Sequence, residues 1–352
     1  MKTVLIIGAG VTRAATSARS IRKQPPLDSD FFDIAKTISP RLTSNVLNVL
    51  QELVGEHAIS VAKSLETTAT YLYLKAIDSP NGSTYHMAFL DLLGLVNSVL
   101  EHTTNSIQLS PRSLLYRFFL CELERVNAPE NLTVLTFNYD LLIERVLEQI
   151  ALKGRPNVYA FPGCYRMSNI TRTTGVTNLS SFSFRSFERA GVAVLKLHGS
   201  LNWQSRHTSN KPTTRSLFAP HREIHVINAP MIPRSLTWRR AKRTVYMKPV
   251  IIPPVSGKRG MMHSNIVPLW SEAGKALKGA NRVVIAGYSC PPLDIESRIL
   301  LSENLTANNK KRVYVIDPNT ETAARFSELC SVDHVTIYDS ISKWVTDSKK
   351  YP

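Results

Sequence analysis

Met1-Lys2-Thr3-Val4-Leu5-Ile6-Ile7-Gly8-Ala9-Gly10-Val11-Thr12-Arg13 is the stretch on which the fold turns. A lysine followed by an apolar run also opens a signal peptide, but here the run Val4–Ile7 stops at Gly8-Ala9-Gly10 and Arg13 stands where it should continue. A short, continuous apolar run entering a glycine turn is how the first strand of a parallel sheet, covered on both faces, begins. Gly8-Ala9-Gly10 also lets the backbone approach a pyrophosphate, whose charge the N–H groups of the next helix would hold. The dinucleotide fingerprint G-x-G-x-x-G needs a third small residue, and Arg13 occupies that place. The motif is therefore not the usual dehydrogenase signature, and a tight turn without a ligand stands beside the phosphate reading.

Similar runs recur at Leu132–Thr136, Val192–Leu197, Val250–Ile252, Arg282–Ala286 and Arg312–Ile316, most of them leading into a turn and then helical periodicity. Repeated β-turn-α units predict an α/β fold with a doubly wound, mostly parallel Rossmann-like sheet. Two interruptions are expected. Residues 33–129 read as a helical insertion, with Val46, Leu47, Leu50, Leu53 and Val54 at helical spacing and an apolar-rich stretch from Met87 to Leu100. Residues 151–189 and 204–245 are polar, rich in Ser, Thr and Arg, and read as a basic insertion that is irregular or short-stranded. The core is then 1–32, 130–150, 190–203 and 246–352, so the 352 residues make one α/β domain carrying two inserts.

Composition narrows the class. With 43% apolar and 20% charged residues and only 15 Gly and 20 Pro, the chain is neither disordered nor collagenous. The formal charge of +16 is localised: residues 151–250 hold 17 basic side chains against Glu188 and Glu223, and the remainder is nearly neutral. Within that segment Arg234, Arg239, Arg240, Lys242 and Arg243 surround Trp238. The segment 234–248 has three readings: contact with nucleic-acid phosphates, contact with an acidic partner or further copies of this chain, or a solvated basic face. Cys121, Cys164, Cys290 and Cys330 form no C-x-x-C pair, and His221 and His225 lack companion ligands and read as surface residues, so no metal is expected. No stretch approaches the ~18 apolar residues of a membrane span, and a reducing cytoplasm is the expected location.

Four further strand ends carry chemistry-bearing residues. Thr136-Phe137-Asn138-Tyr139-Asp140 places Asn138 and Asp140 where ligands collect in open α/β sheets, although either is also a natural helix cap. Lys196-Leu197-His198-Gly199-Ser200 puts a histidine at the end of an apolar strand, followed by a glycine that leaves its ring uncrowded, which suits a general base titrating near neutral pH; a structural histidine is the alternative. Ala286-Gly287-Tyr288-Ser289 offers Gly287 and the Ser289 hydroxyl to a phosphate or ribose, and Ile316-Asp317-Pro318-Asn319 offers the Asp317 carboxylate to ribose hydroxyls. Each of the last two also reads as a simple turn.

Taken in order, GAG, T-x-N-x-D, K-L-H-G-S, G-Y-S and V-I-D-P resemble the sirtuin-like NAD-binding family, and more narrowly its bacterial antiphage-defence branch, which breaks down NAD+ rather than deacetylating. Pro26-Leu27-Asp28-Ser29-Asp30-Phe31-Phe32, Val250-Ile251-Ile252-Pro253-Pro254 and Leu269-Trp270 support the resemblance, which spans about half the chain. The paired cysteines of the deacylase zinc module are absent, and Phe32 stands where deacylases carry an arginine. The resemblance implies an NAD+ glycohydrolase with Asn138 and His198 in catalysis, while the residues themselves suggest Asp140 as a stabiliser of the cationic sugar. It implies that Gly8, Ala9, Gly10 and Thr12 cradle the diphosphate, Gly287 and Ser289 hold phosphate or ribose, and Asp317 sits near the adenosine ribose. It further implies large assemblies and, in some relatives, a HerA-type translocase ATPase as partner. A deacylase or ADP-ribosyl transferase, and a non-catalytic NAD or ADP-ribose sensor, are the competing functions.

Overall fold

The computed structural model describes residues 1–16, 20, 23–80, 83–167, 170–174, 180–184, 190–207, 224–227, 237–240, 243–255, 257–258, 265–305, 311–330 and 335–347. In chain order the strands are β1 (Thr3–Ile7), β2 (Leu132–Thr136), β3 (Ile170–Thr174), β4 (Ser180–Phe184), β5 (Ala193–Lys196), β6 (Gly199–His207), β7 (Ile224–Ile227), β8 (Thr237–Arg240), β9 (Arg243–Ile251), β10 (Arg282–Ala286), β11 (Arg312–Ile316) and β12 (Val335–Tyr338).

Six of them form a wholly parallel sheet in the order β12-β11-β10-β1-β2-β5. From β1 the chain winds outward to β2 and β5, then returns to the other side of β1 and winds outward again through β10, β11 and β12. The strand order reverses between β1 and β10, and a crevice at the carboxyl ends of the strands is where open α/β sheets place ligands. The strands read as unbroken apolar runs because helices cover both faces; Val4, Leu5, Ile6, Val134, Val194, Val284 and Val315 are all buried.

One strand differs from its sequence reading. Val250 and Ile251 end β9, which pairs antiparallel with β6 in a second six-stranded sheet of order β4-β3-β7-β6-β9-β8. A three-residue apolar run has no periodicity that distinguishes a parallel strand from the end of an antiparallel one. The parallel place is taken by β12, whose residues are half-buried or exposed and so leave no apolar run to read.

Between β1 and β2 lie the helix Ala9–Ala14, directly after β1, and then the helices Phe31–Ile38, Pro40–Val54, Ala58–Val61, Leu65–Ile77, Thr84–Asn105 and Leu114–Glu124. Phe31, Phe32, Val46, Leu72, Phe89 and Leu92 form a core of their own that also takes in Tyr139, Leu141, Leu201 and Val255. Tyr139 and Leu141 follow β2, so this helical layer packs over the strand ends and shields them from water.

Candidate functional site at the strand ends

Three glycines set the spacing between β1 and β10. Gly287 has φ +56°, and a Cβ there would lie 2.5 Å from Val11 N; a Cβ on Gly8 would lie 2.3 Å from Gly287 O. The Gly10 N–H donates to Gly287 O at 2.9 Å, and the Gly8 N–H donates to Ala286 O at 3.0 Å. The glycine turn is thus needed for the mutual approach of two strand ends, and the Gly8 and Gly10 amides are engaged within the fold. Arg13 pairs with Asp30 at 2.6 Å and donates to Pro25 O. It anchors the chain that enters the helical insertion, which explains a large cation at the fingerprint's third position.

The end of β2 is joined to the helix after β1. The Asn138 side-chain amide donates to Thr12 Oγ1 at 3.1 Å, and Thr12 Oγ1 donates to Asp140 Oδ2 at 3.0 Å. The other carboxylate oxygen accepts from the Leu142 N–H at 2.9 Å, closing the turn that starts the helix Leu142–Leu152. Asp140 therefore closes the turn ahead of the N-cap residue Leu141, with both its oxygens engaged. Thr136 Oγ1 accepts from the Asn138 N–H and donates to Ile7 O, tying β2 back to β1. Thr12, Asn138 and Asp140 are brought together in one buried cluster.

His198 follows β5 and is 3% exposed. Its ring is enclosed, contrary to the uncrowded ring expected from the glycine beside it: Phe137 lies 5.1 Å away, Tyr139 6.2 Å and Trp270 6.4 Å between centroids. Gly199 serves the backbone instead, with φ +89° and the Val250 carbonyl 2.0 Å from where a Cβ would be. His198 Nε2 lies 3.2 Å from Asp294 Oδ2 and 2.7 Å from Lys258 Nζ, and Lys258 also pairs with Asp294. Burial and the Lys258 cation push the imidazole below its ordinary range, and Asp294 opposes them. Asp294 is held well below the usual carboxylate range by His198 and Lys258 despite its burial. Phe137 stacks on Tyr288 at 4.3 Å, so the ends of β2 and β10 and the turn after β5 meet around one histidine.

No family model matches the chain, and no curated protein matches it. Among solved structures it is similar to a Sir2 homologue in complex with NAD, at 14% identity and TM-score 0.40, over 99% of this chain and 88% of that one. It is also similar to a mutant Sir2 homologue in complex with ADP-ribose, at 15% identity and TM-score 0.39, over 99% and 94%. A structure addressing the mechanism and regulation of Sir2 enzymes aligns at 15% identity and TM-score 0.42, over 99% and 92%. The fold assignment rests on the strand order and register given above.

The remaining candidates sit apart from the buried cluster. Ser289 is exposed, and its carbonyl accepts from Arg325. Asp317 is half-buried, accepts from the Asn319 N–H at 2.8 Å, and is raised above its ordinary pKa by burial. His225 is buried on β7 rather than at the surface. His221 lies outside the described residues, as do Arg234, Ser235, Leu236, Ala241 and Lys242 of the basic segment; its remaining residues lie in β8 and β9, which pair antiparallel. Among the described residues no group of three or more His, Cys, Asp or Glu is placed to hold a metal ion, and no helix is long and apolar enough to cross a membrane. A cavity of about 690 Å³ is lined by Ser20, Lys23, His102 and Ser106, none of them at a strand end.

Three members of the site escaped the sequence reading. Lys258 and Asp294 carry no motif, being 60 and 36 residues from the partners they meet. Glu66 opens the helix Leu65–Ile77, where an acidic first turn reads as an ordinary dipole match. In the structure it is buried, its Oε1 has no hydrogen-bond partner, and its pKa is pushed up to about 8 by burial and by repulsion from Asp28 and Asp294.

Proposed function

We propose that this chain is an NAD+ glycohydrolase that releases nicotinamide and ADP-ribose, and that it serves as an antiphage effector depleting NAD+ once activated. The observation that carries the reading is the Asn138–Thr12–Asp140 cluster beside the His198 ring, at the carboxyl ends of parallel strands where the order of the sheet reverses. The motif order GAG, T-x-N-x-D, K-L-H-G-S supports the same reading.

In that reaction the bond between the ribose anomeric carbon and the pyridinium nitrogen breaks, and its electron pair neutralises the departing nicotinamide. The leaving group needs no proton. Water adds to the oxocarbenium-like carbon and gives up one proton. Asn138 orients the ribose or the water through its amide without adding charge, and Thr12 fixes that amide by accepting one of its N–H groups. His198 takes the water's proton, a positioned base being worth about 10²–10⁴-fold. The helical layer over the strand ends excludes bulk water, which would otherwise screen the cationic sugar.

The test is incubation of the protein with NAD+ alone, following nicotinamide and ADP-ribose by chromatography. Release is expected without any peptide, and Asn138→Ala and His198→Ala are each expected to abolish it while circular dichroism is unchanged. Release that requires an acyl-peptide would replace this reading with deacylation. Binding without release would replace it with a nucleotide sensor.

A further inference from the structure

Among the described residues His198 is the one imidazole at the strand ends, and its Nε2 is already in use. Lys258 Nζ lies 2.7 Å from that atom, and the same ammonium reaches Asp294, which stands 3.2 Å from Nε2 on its other oxygen. All three side chains are buried. In the tautomer with its proton on Nδ1, the imidazole's one lone pair is on Nε2, and an ammonium donating to it consumes the acceptor that general-base catalysis needs. Protonating the ring in this arrangement would set two cations 2.7 Å apart away from water. Trp270 holds Lys258 in place, its ring 5.2 Å from the ammonium.

We infer that Lys258 is an internal lock on His198: its ammonium occupies Nε2, and the imidazole accepts a proton from substrate water only when that ammonium is displaced. The inference rests on the glycohydrolase reading above and adds to it the expectation that turnover rises when the ammonium is moved off Nε2. The groups that bear on the imidazole are few. Tyr139 contributes a phenol that donates to Ile252 O at 2.8 Å, and Tyr288 contributes a phenol 3.5 Å from Asp294 Oδ2. Burial pushes the Lys258 pKa down, and Asp294, Glu296 and Glu66 oppose it by favouring the ammonium; Asp28 acts on Glu66, while Phe137 and Trp270 supply uncharged walls. Lys258 is thus the only cation among the described groups that faces the ring, and Asp294 the only carboxylate in contact with it. Removing the lysine frees Nε2 and relieves the depression of the imidazole's pKa by the cation, returning it towards the range in which a general base works at neutral pH.

The experiment compares full-length wild type, Lys258→Met and Lys258→Arg by two readouts: the His198 titration, followed by imidazole NMR, and NAD+ turnover. Lys258→Met keeps the length of the side chain without its charge. It is expected to raise the His198 pKa by about one unit or more and to raise turnover several-fold near neutral pH. Lys258→Arg keeps a cation against the ring and is expected to hold both near wild type, which distinguishes a charge effect from loss of packing. An unshifted His198 in Lys258→Met overturns the lock whatever the turnover does. A shifted His198 with lower turnover overturns it too, because Lys258 would then be assisting the reaction. A shifted His198 with no turnover in any of the three proteins sinks the glycohydrolase reading, and the lock's role in it falls with that reading.

Discussion

Thr12 Oγ1 donates to Asp140 Oδ2 at 3.0 Å, joining the helix after β1 to the turn after β2 across 128 residues of sequence. Because the same oxygen accepts from the Asn138 amide, one hydroxyl satisfies two buried groups and sets the direction of the side chain proposed to orient the ribose or the water. Thr12→Val preserves the shape and removes both bonds. Leaving buried polar atoms unpaired costs about 1–3 kcal/mol, so the variant is expected to unfold at lower denaturant and to lose at least about tenfold in NAD+ turnover. Thr12→Ser restores the hydroxyl and is expected to recover most of both. A valine variant with wild-type turnover would show that the direction of Asn138 does not matter.

Gly287 has φ +56° and no room for a methyl group, with Val11 N 2.5 Å and Gly10 Cα 2.7 Å from the position of a Cβ. The obstacles are backbone atoms in the first turn of the helix Ala9–Ala14 that follows β1, which cannot rotate away. Gly287→Ala is expected to lose more than about 1 kcal/mol of stability from backbone strain and from the opening of the β1–β10 contact. Gly279, exposed at the end of the helix Val267–Gly279 with nothing within 4 Å, provides the control. Gly279→Ala is expected to be neutral or to stabilise by up to about 1 kcal/mol. Urea unfolding of the two variants checks the contrast, and equal effects would contradict the close-approach argument.

The legible part of the molecule is the part whose physics is local. Five of the six parallel strands announce themselves as short apolar runs, and β12 does not because its side chains are only half-covered. Thr136-Phe137-Asn138-Tyr139-Asp140 could be picked out because polar side chains break an apolar run just where the strand ends. The sequence did not reveal that Asp140 spends both oxygens on Leu142 and Thr12, since a cap and a site residue are written with the same letter. Lys258, Asp294 and Glu66 were illegible for a different reason. Each sits in an unremarkable local context, and only the packing of the helical layer over the strand ends gives them chemistry. The glycine after His198 was misread because its cause lies 51 positions away, at the Val250 carbonyl.

Glu66 ties the pH dependence of stability to that helical layer. Its carboxyl has an ordinary value of 4.5 and is raised to about 8 in the fold, first by burial and then by Asp28 and Asp294. Between these values the unfolded chain releases the proton while the folded chain keeps it, so Glu66's contribution is fully present below about pH 4.5. It is lost progressively as the pH rises to about 8. His198 acts in the opposite sense, because its lowered pKa makes the fold lose stability as the pH falls through the ordinary imidazole range. Glu66→Gln keeps the shape and removes only the first effect. The variant is expected to gain on the wild type as the pH rises from 5 to 8, by on the order of a few kcal/mol in total, and urea unfolding at several pH values measures this. A difference between the two proteins that stays constant from pH 5 to 8 would mean that Glu66 holds no proton at neutral pH, and that its unpaired oxygen is compensated in some other way.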